Sequence, residues 1–179
     1  MKRTIMLAGG SADHGETIYA GAAREFGRRV AAEGWVLRTG GGSGCSVMGA
    51  ASDGALAAGG RVEGVILRKF WRARHRGLHS MKAYATFALR KAALIRGASA
   101  AAVLPGGYGT LDELGDLLTL RQTGLIRIPV VLLDVAGYYA GLKAWDRHAE
   151  REGFLYGGRL FHVASTPRQA VRLLATLMT

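Results

Sequence analysis

The chain has 179 residues, 49% of them apolar, and a formal net charge of +11. That length suits one domain, residues 1–179, with a sizeable core. The single cysteine, Cys45, excludes an internal disulfide framework and a cysteine-based metal site. No apolar run approaches the length of a membrane span. The basic balance suits anionic partners such as nucleotides, nucleic acid or a membrane surface, without choosing among them.

In chain order, "TIMLA" (4–8) reads as a first strand rather than a signal peptide, because Asp13 and Glu16 follow so soon. A helical pattern runs from about His14 to Glu33. "WVLRT" (35–39) is a second strand, leading through a glycine run into a helix near Val47–Ala58. "RVEGVIL" (61–67) is the third strand, and a helix is expected near Met81–Arg96. "AAAVL" (100–104) is then the fourth strand, followed by a helix from about Thr110. "IPVVLLD" (128–134) and "FHVAS" (161–165) read as strands, and 139–152 and 167–178 as helices. Strands alternating with helices predict an α/β fold: a Rossmann-like, doubly wound parallel sheet with helices on both faces.

In open parallel sheets, ligands bind beyond the carboxyl ends of the strands. Three glycine-bearing turns fall there: "AGGS" (8–11), "TGGGSG" (39–44) and "PGGYGT" (105–110). Gly9, Ser11, Gly41, Gly42 and Ser43 are therefore expected to line a ligand. In the third turn, Gly106, Gly107 and Gly109 permit positive φ and leave room near the main chain. Two functions suit the residues that follow. Thr110 and Glu113 have the spacing of a capping box. The same helix start favours a bound phosphate, with a carboxylate one turn on to work at the ligand's other end. The stretch lacks the lysine of a P-loop, and "GGGSGCSVMG" lacks the dinucleotide spacing.

These residues resemble the LOG family, often labelled "lysine decarboxylase". "PGGYGTLDE" (105–113) matches its PGGxGTxxE signature, and Arg90-Lys91 its second motif. "GGGSGCSVMGAASDGALAAGG" (40–60), "LLTLRQTGLIRIPVVLLDVAGYY" (117–139) and "EGFL" (152–155) are similar as well. The resemblance implies a Rossmann-like homodimer; the lone cysteine fits a reducing, cytoplasmic compartment, and no metal or cofactor is expected. Such a protein would hydrolyse the N-glycosidic bond of a nucleoside 5′-monophosphate, a cytokinin or purine nucleotide. Arg90 and Glu113 are then the expected catalytic pair. Gly106, Gly107, Gly109 and Thr110 would hold the phosphate, with Lys91, Asp112 and Thr123 lining the site. "FAL" (87–89) departs from the methionine and histidine that short plant-type members carry before the Arg-Lys pair. The same superfamily fold also serves non-catalytic molybdenum-cofactor carriers, nucleotide-sensing domains and DprA-like binders of single-stranded DNA.

Five of the nine residues 68–76 are Arg or Lys, with Phe70 and Trp71 among them. A solvated loop at the mouth of an anionic substrate site is favoured over a nucleic-acid contact, because no nucleic-acid motif accompanies it. Cys45 is expected to be a small buried thiol, and Asp13 and Glu16 to be helix-capping charges. Leu111, Leu114, Leu117, Leu118 and Leu125 form a stripe expected in the core or at a dimer interface. No histidine is assigned to catalysis.

Overall fold

The computed structural model describes residues 2–13 and 15–179. Its centre is one parallel sheet of seven strands in the order β4-β3-β2-β1-β5-β6-β7. The strands are β1 (Thr4–Ala8), β2 (Val36–Thr39), β3 (Arg61–Leu67), β4 (Ser80–Tyr84), β5 (Ala100–Val103), β6 (Val130–Leu133) and β7 (His162–Ala164). The helices are α1 (Ile18–Ala32), α2 (Val47–Ala57), α3 (Phe87–Ile95), α4 (Tyr108–Gln122), α5 (Ala140–Arg151) and α6 (Pro167–Leu177).

The two-residue period of each strand feeds two cores. From β1, Ile5 and Leu7 enter the layer packed under α1, α2 and α6. Met6 and Ala8, between them, enter the opposite layer with Leu94 of α3 and Leu114 and Leu117 of α4. Both faces are thus covered; β5 and β6 are apolar throughout rather than alternating, and β2 and β3 carry the paired Arg38 and Glu63. On the first face, α1 and α2 meet backbone to backbone. A Cβ on Gly27 would run into the Ala51 carbonyl, so the small residue sets how closely these helices approach.

Two boundaries differ from the sequence expectation. Residues 80–84 extend the sheet as β4 beside β3, and helix α3 begins only at Phe87, where Thr86 accepts from the Leu89 N–H as N-cap. The alanine-rich run to Arg96 concealed this edge strand, and "PGGYGT" therefore follows the fifth strand, not the fourth. At the chain start, α1 begins at Ile18, capped by Thr17, rather than near His14, which lies outside the described residues. Asp13 and Glu16 do not cap it. Asp13 accepts from the Gly15 and Cys45 N–H groups, and Glu16 pairs with Arg24.

The sheet's winding reverses at β1, whose neighbours are β2 and β5. The loops after these two strands part at that point and leave a crevice at their carboxyl ends.

Candidate active site

The crevice opens into a cleft of about 920 Å³. Its wall draws on the ends of six strands: Gly9 and Ser11 after β1, Gly42 after β2, Phe70 after β3, Arg90 after β4, Gly106 after β5 and Tyr138 after β6.

The hinge between β5 and α4 forms its floor. Pro105 accepts from the Gly10 N–H at 3.0 Å, which draws the first and third glycine turns together. A Cβ on Gly106 would lie 2.6 Å from the Gly10 nitrogen, so only glycine fits. The hinge glycines serve close approach and not, as their type suggested, positive φ: none of Gly106, Gly107 and Gly109 has it. Two tyrosines fix the hinge from the β6 side. The Tyr138 hydroxyl donates to the Gly106 carbonyl and that of Tyr139 to Leu104, each at 2.7 Å. Asp134 orients this pair by accepting from the Tyr139 N–H at 2.8 Å and pairing with Lys143.

Helix α4 starts two residues earlier than expected, so Thr110 is not its cap. Gly107 occupies that position, with no side chain to satisfy the first N–H groups. By contrast, α1, α2, α3 and α6 are each capped by a Ser or Thr oxygen. The uncapped start faces the cleft, with Gly107, Tyr108 and Gly109 in the wall. Aligned N–H dipoles at such an end favour an anion. Thr110, buried within the first turn, presents its side chain to the same wall.

Glu113 follows three residues later, on the same face of α4. It does not complete a capping box. Its carboxylate accepts from Arg90 Nη1 at 2.7 Å, with only 9% of the Glu113 side chain and 12% of the Arg90 side chain exposed. Arg90 is itself held by its Nε, which donates to the Val65 carbonyl at 3.0 Å. Burial pushes the Glu113 carboxyl above its ordinary range. The charge and hydrogen bond of Arg90 pull the other way without overcoming it. The adjacent Lys91 turns aside and bridges Asp112 at 2.8 Å and Asp116 at 2.9 Å, which raises its own pKa. It pins α3 to α4 beside the Arg90–Glu113 pair.

Of the residues singled out from sequence, the cleft gathers Gly9, Ser11, Gly42, Arg90, Gly106, Gly107, Gly109, Thr110, Asp112 and Glu113. Four stand off it. The Gly41 carbonyl receives the His75 N–H, and the Ser43 hydroxyl donates to the Ala73 carbonyl. Lys91 is not in the wall, and Thr123 caps the far end of α4, about 24 Å from Gly107 by helical rise. Cys45, in contrast, is an exposed thiol in the cleft wall, not a buried one. Of the basic segment, which forms a 3-10 helix rather than a loop, Phe70 and Ala73 join the wall and none of its cations does. Sequence reasoning missed Tyr138 and Tyr139; their signal was a tyrosine pair just after a strand in the row of ligand-bearing turns.

A glycine-lined cleft at the switch point of a parallel sheet, with an open helix start and a buried Arg–Glu pair, belongs to a Rossmann-like α/β protein. The family described as "possible lysine decarboxylase" matches residues 48–174, and the chain belongs to this LOG family. It is 34% identical to the probable cytokinin riboside 5′-monophosphate phosphoribohydrolase LOGL3 of Oryza sativa subsp. japonica, over 93% of this chain and 79% of that one. Among solved structures, the molybdenum cofactor binding protein of Rippkaea orientalis superposes with a TM-score of 0.79 at 23% identity, covering 100% of this chain and 99% of that one. The Moco carrier protein of Chlamydomonas reinhardtii superposes with a TM-score of 0.73 at 25% identity, covering 99% and 98%.

Proposed function

We propose that the protein hydrolyses the N-glycosidic bond of a nucleoside 5′-monophosphate, a cytokinin or purine nucleotide, to free base and ribose 5-phosphate. The observation that carries this is the placement of Glu113 one turn beyond an open, glycine-walled helix start in one cleft. The N–H groups after Gly106 and the Thr110 hydroxyl hold the 5′-phosphate. Glu113 then faces the sugar. Departure of the base with the bonding electrons leaves positive charge on C1′ and the ring oxygen. A carboxylate stabilises that charge and takes a proton from the water that adds to C1′, and that proton ends on the departed base. Arg90 favours the ionised form of Glu113 against burial and aims its carboxylate. The relatives' names, LOGL3 among them, support the same substrate class.

Incubation with AMP and with isopentenyl-AMP, followed by chromatography, tests the proposal. Base and ribose 5-phosphate should appear in equal amounts. No release from any monophosphate at high protein concentration would refute it.

A second reading is a non-catalytic carrier of a phosphorylated cofactor, favoured by the likeness to the Moco carrier protein. A carrier has no use for Glu113, so Glu113→Gln separates the two: a carrier's ligand retention survives it unchanged, and nucleotide hydrolysis does not. We further propose a homodimer. The exposed Phe87 and Leu89 of α3 and Leu111 of α4 support a second copy as their cover, and sedimentation checks it.

A further inference from the structure

The segment that follows β3 looks in sequence like a basic patch, but its geometry divides it into faces. Residues Arg68–Ala73 form a 3-10 turn, in which positions three apart eclipse one another. Leu67, Phe70 and Ala73 have that spacing, and all three line the cleft. The cations occupy the other ridges, and Arg74 folds back over the Trp71 ring, 4.3 Å from its centroid. So the side chains that reach the cleft from this turn are apolar, with the Lys69 ammonium over the Phe70 ring, 5.8 Å from its centroid.

The segment is also fixed in place. The Ser43 hydroxyl holds the Ala73 carbonyl at 3.2 Å, and Gly42 and Arg74 form an antiparallel bridge. The His75 ring pairs with Asp53 at 2.8 Å, and its backbone N–H donates to the Gly41 carbonyl. This gives the off-cleft residues Gly41 and Ser43 a purpose: they moor the wall that carries Phe70.

A ligand anchored by its phosphate at the α4 hinge and facing Glu113 at C1′ must send its base past Glu113. On that side stand Arg90 and the residues of β3, the 3-10 turn and the start of α3. Ile66, Leu67, Phe70, Ala73 and Phe87 offer only apolar side chains. Arg90 is the polar exception: Val65 and Glu113 take its Nε and Nη1, which leaves Nη2, beside Gly40, as the one side-chain donor among them. A site that reads base edges by hydrogen bonds would need free donors and acceptors there. Stacking on an aromatic ring needs none and tolerates any base.

We infer that Phe70 is the base-binding residue of the cleft, and that it holds a flat base by stacking rather than by reading its hydrogen-bonding edge. This rests on the nucleotide 5′-monophosphate function proposed above. Phe70 is 47% exposed and belongs to neither core, so its replacement leaves the fold intact.

The test compares binding by calorimetry of AMP, GMP, IMP and ribose 5-phosphate to the wild-type protein, Phe70→Ala and Phe70→Tyr, alongside turnover. Wild type should bind the three purine nucleotides within about tenfold of one another. Phe70→Ala should weaken all three by roughly 10- to 100-fold, in Kd and KM more than in kcat, with ribose 5-phosphate unaffected. Phe70→Tyr should restore binding. Equal AMP binding by wild type and Phe70→Ala overturns the inference, as does a hundredfold preference for one purine. Absent base release with purine binding still dependent on Phe70 would strike the hydrolytic function alone. Failure of wild type to bind any of the three nucleotides would overturn both.

Discussion

Arg90 Nη1 and Glu113 Oε1 lie 2.7 Å apart in a nearly dry part of the cleft wall, joining α3 to α4. The pair is in tension. Burial favours a neutral Glu113, and Arg90 favours a charged one. The proposed hydrolysis requires the carboxylate, so activity should be lost as pH falls through the folded-state value. That value is raised above 4.5, so the acid limb of the rate profile should lie above that of an ordinary glutamate. Arg90→Met removes the opposing charge and should move the limb upward by about one pH unit or more. A pH–rate profile of both proteins checks this.

The hinge depends on a contact that no side chain fits. Gly106→Ala places a methyl group against the Gly10 nitrogen and the Thr110 side chain. The expected cost is about 1–3 kcal/mol in stability, with loss of phosphate affinity as the two turns part. Thermal unfolding and ribose 5-phosphate binding measure the two effects separately.

Thr110 offers the cleft a hydroxyl from the first turn of α4. Thr110→Val keeps the shape and removes that donor. KM should rise about tenfold with kcat little changed, since the phosphate would be bound alike before and after bond breaking. Steady-state kinetics with AMP reads both constants.

Asp134 supports the site from outside it. Burial pushes its carboxyl up, but the hydrogen bond from Lys143 and that from the Tyr139 N–H outweigh burial and hold it below its ordinary 3.8. A depressed value contributes stability above the unfolded-state pKa, and that stability is lost as pH falls through the folded one. Asp134→Ala should cost about 3 kcal/mol near neutral pH, and the difference from wild type should shrink in acid. Denaturant unfolding at pH 7 and below pH 4 tests the sign.

Periodicity and punctuation revealed most of the framework. "RVEGVIL" became β3 without a shift, and "VLPGG" was placed at the mouth because glycines follow an apolar run. The edge strand β4 escaped because "SMKAY" is only half buried and runs into an alanine-rich helix. The family motifs singled out Arg90 and Glu113, yet the spacing of Thr110 and Glu113 equally suited a capping box. Only the tertiary pairing of Glu113 with a residue 23 positions away distinguishes the two. The same holds for Cys45 and Asp13. Their local patterns suggested a buried thiol and a helix cap, and the approach of the first two glycine turns gave both other surroundings.

Single-turnover release of base from AMP, by wild type and by Glu113→Gln with the nucleotide bound to saturation in each, tests the central claim most directly. Wild type should yield stoichiometric adenine, and the variant should bind AMP but release base at least ~1,000-fold more slowly. Equal release rates from the two saturated proteins would contradict the account.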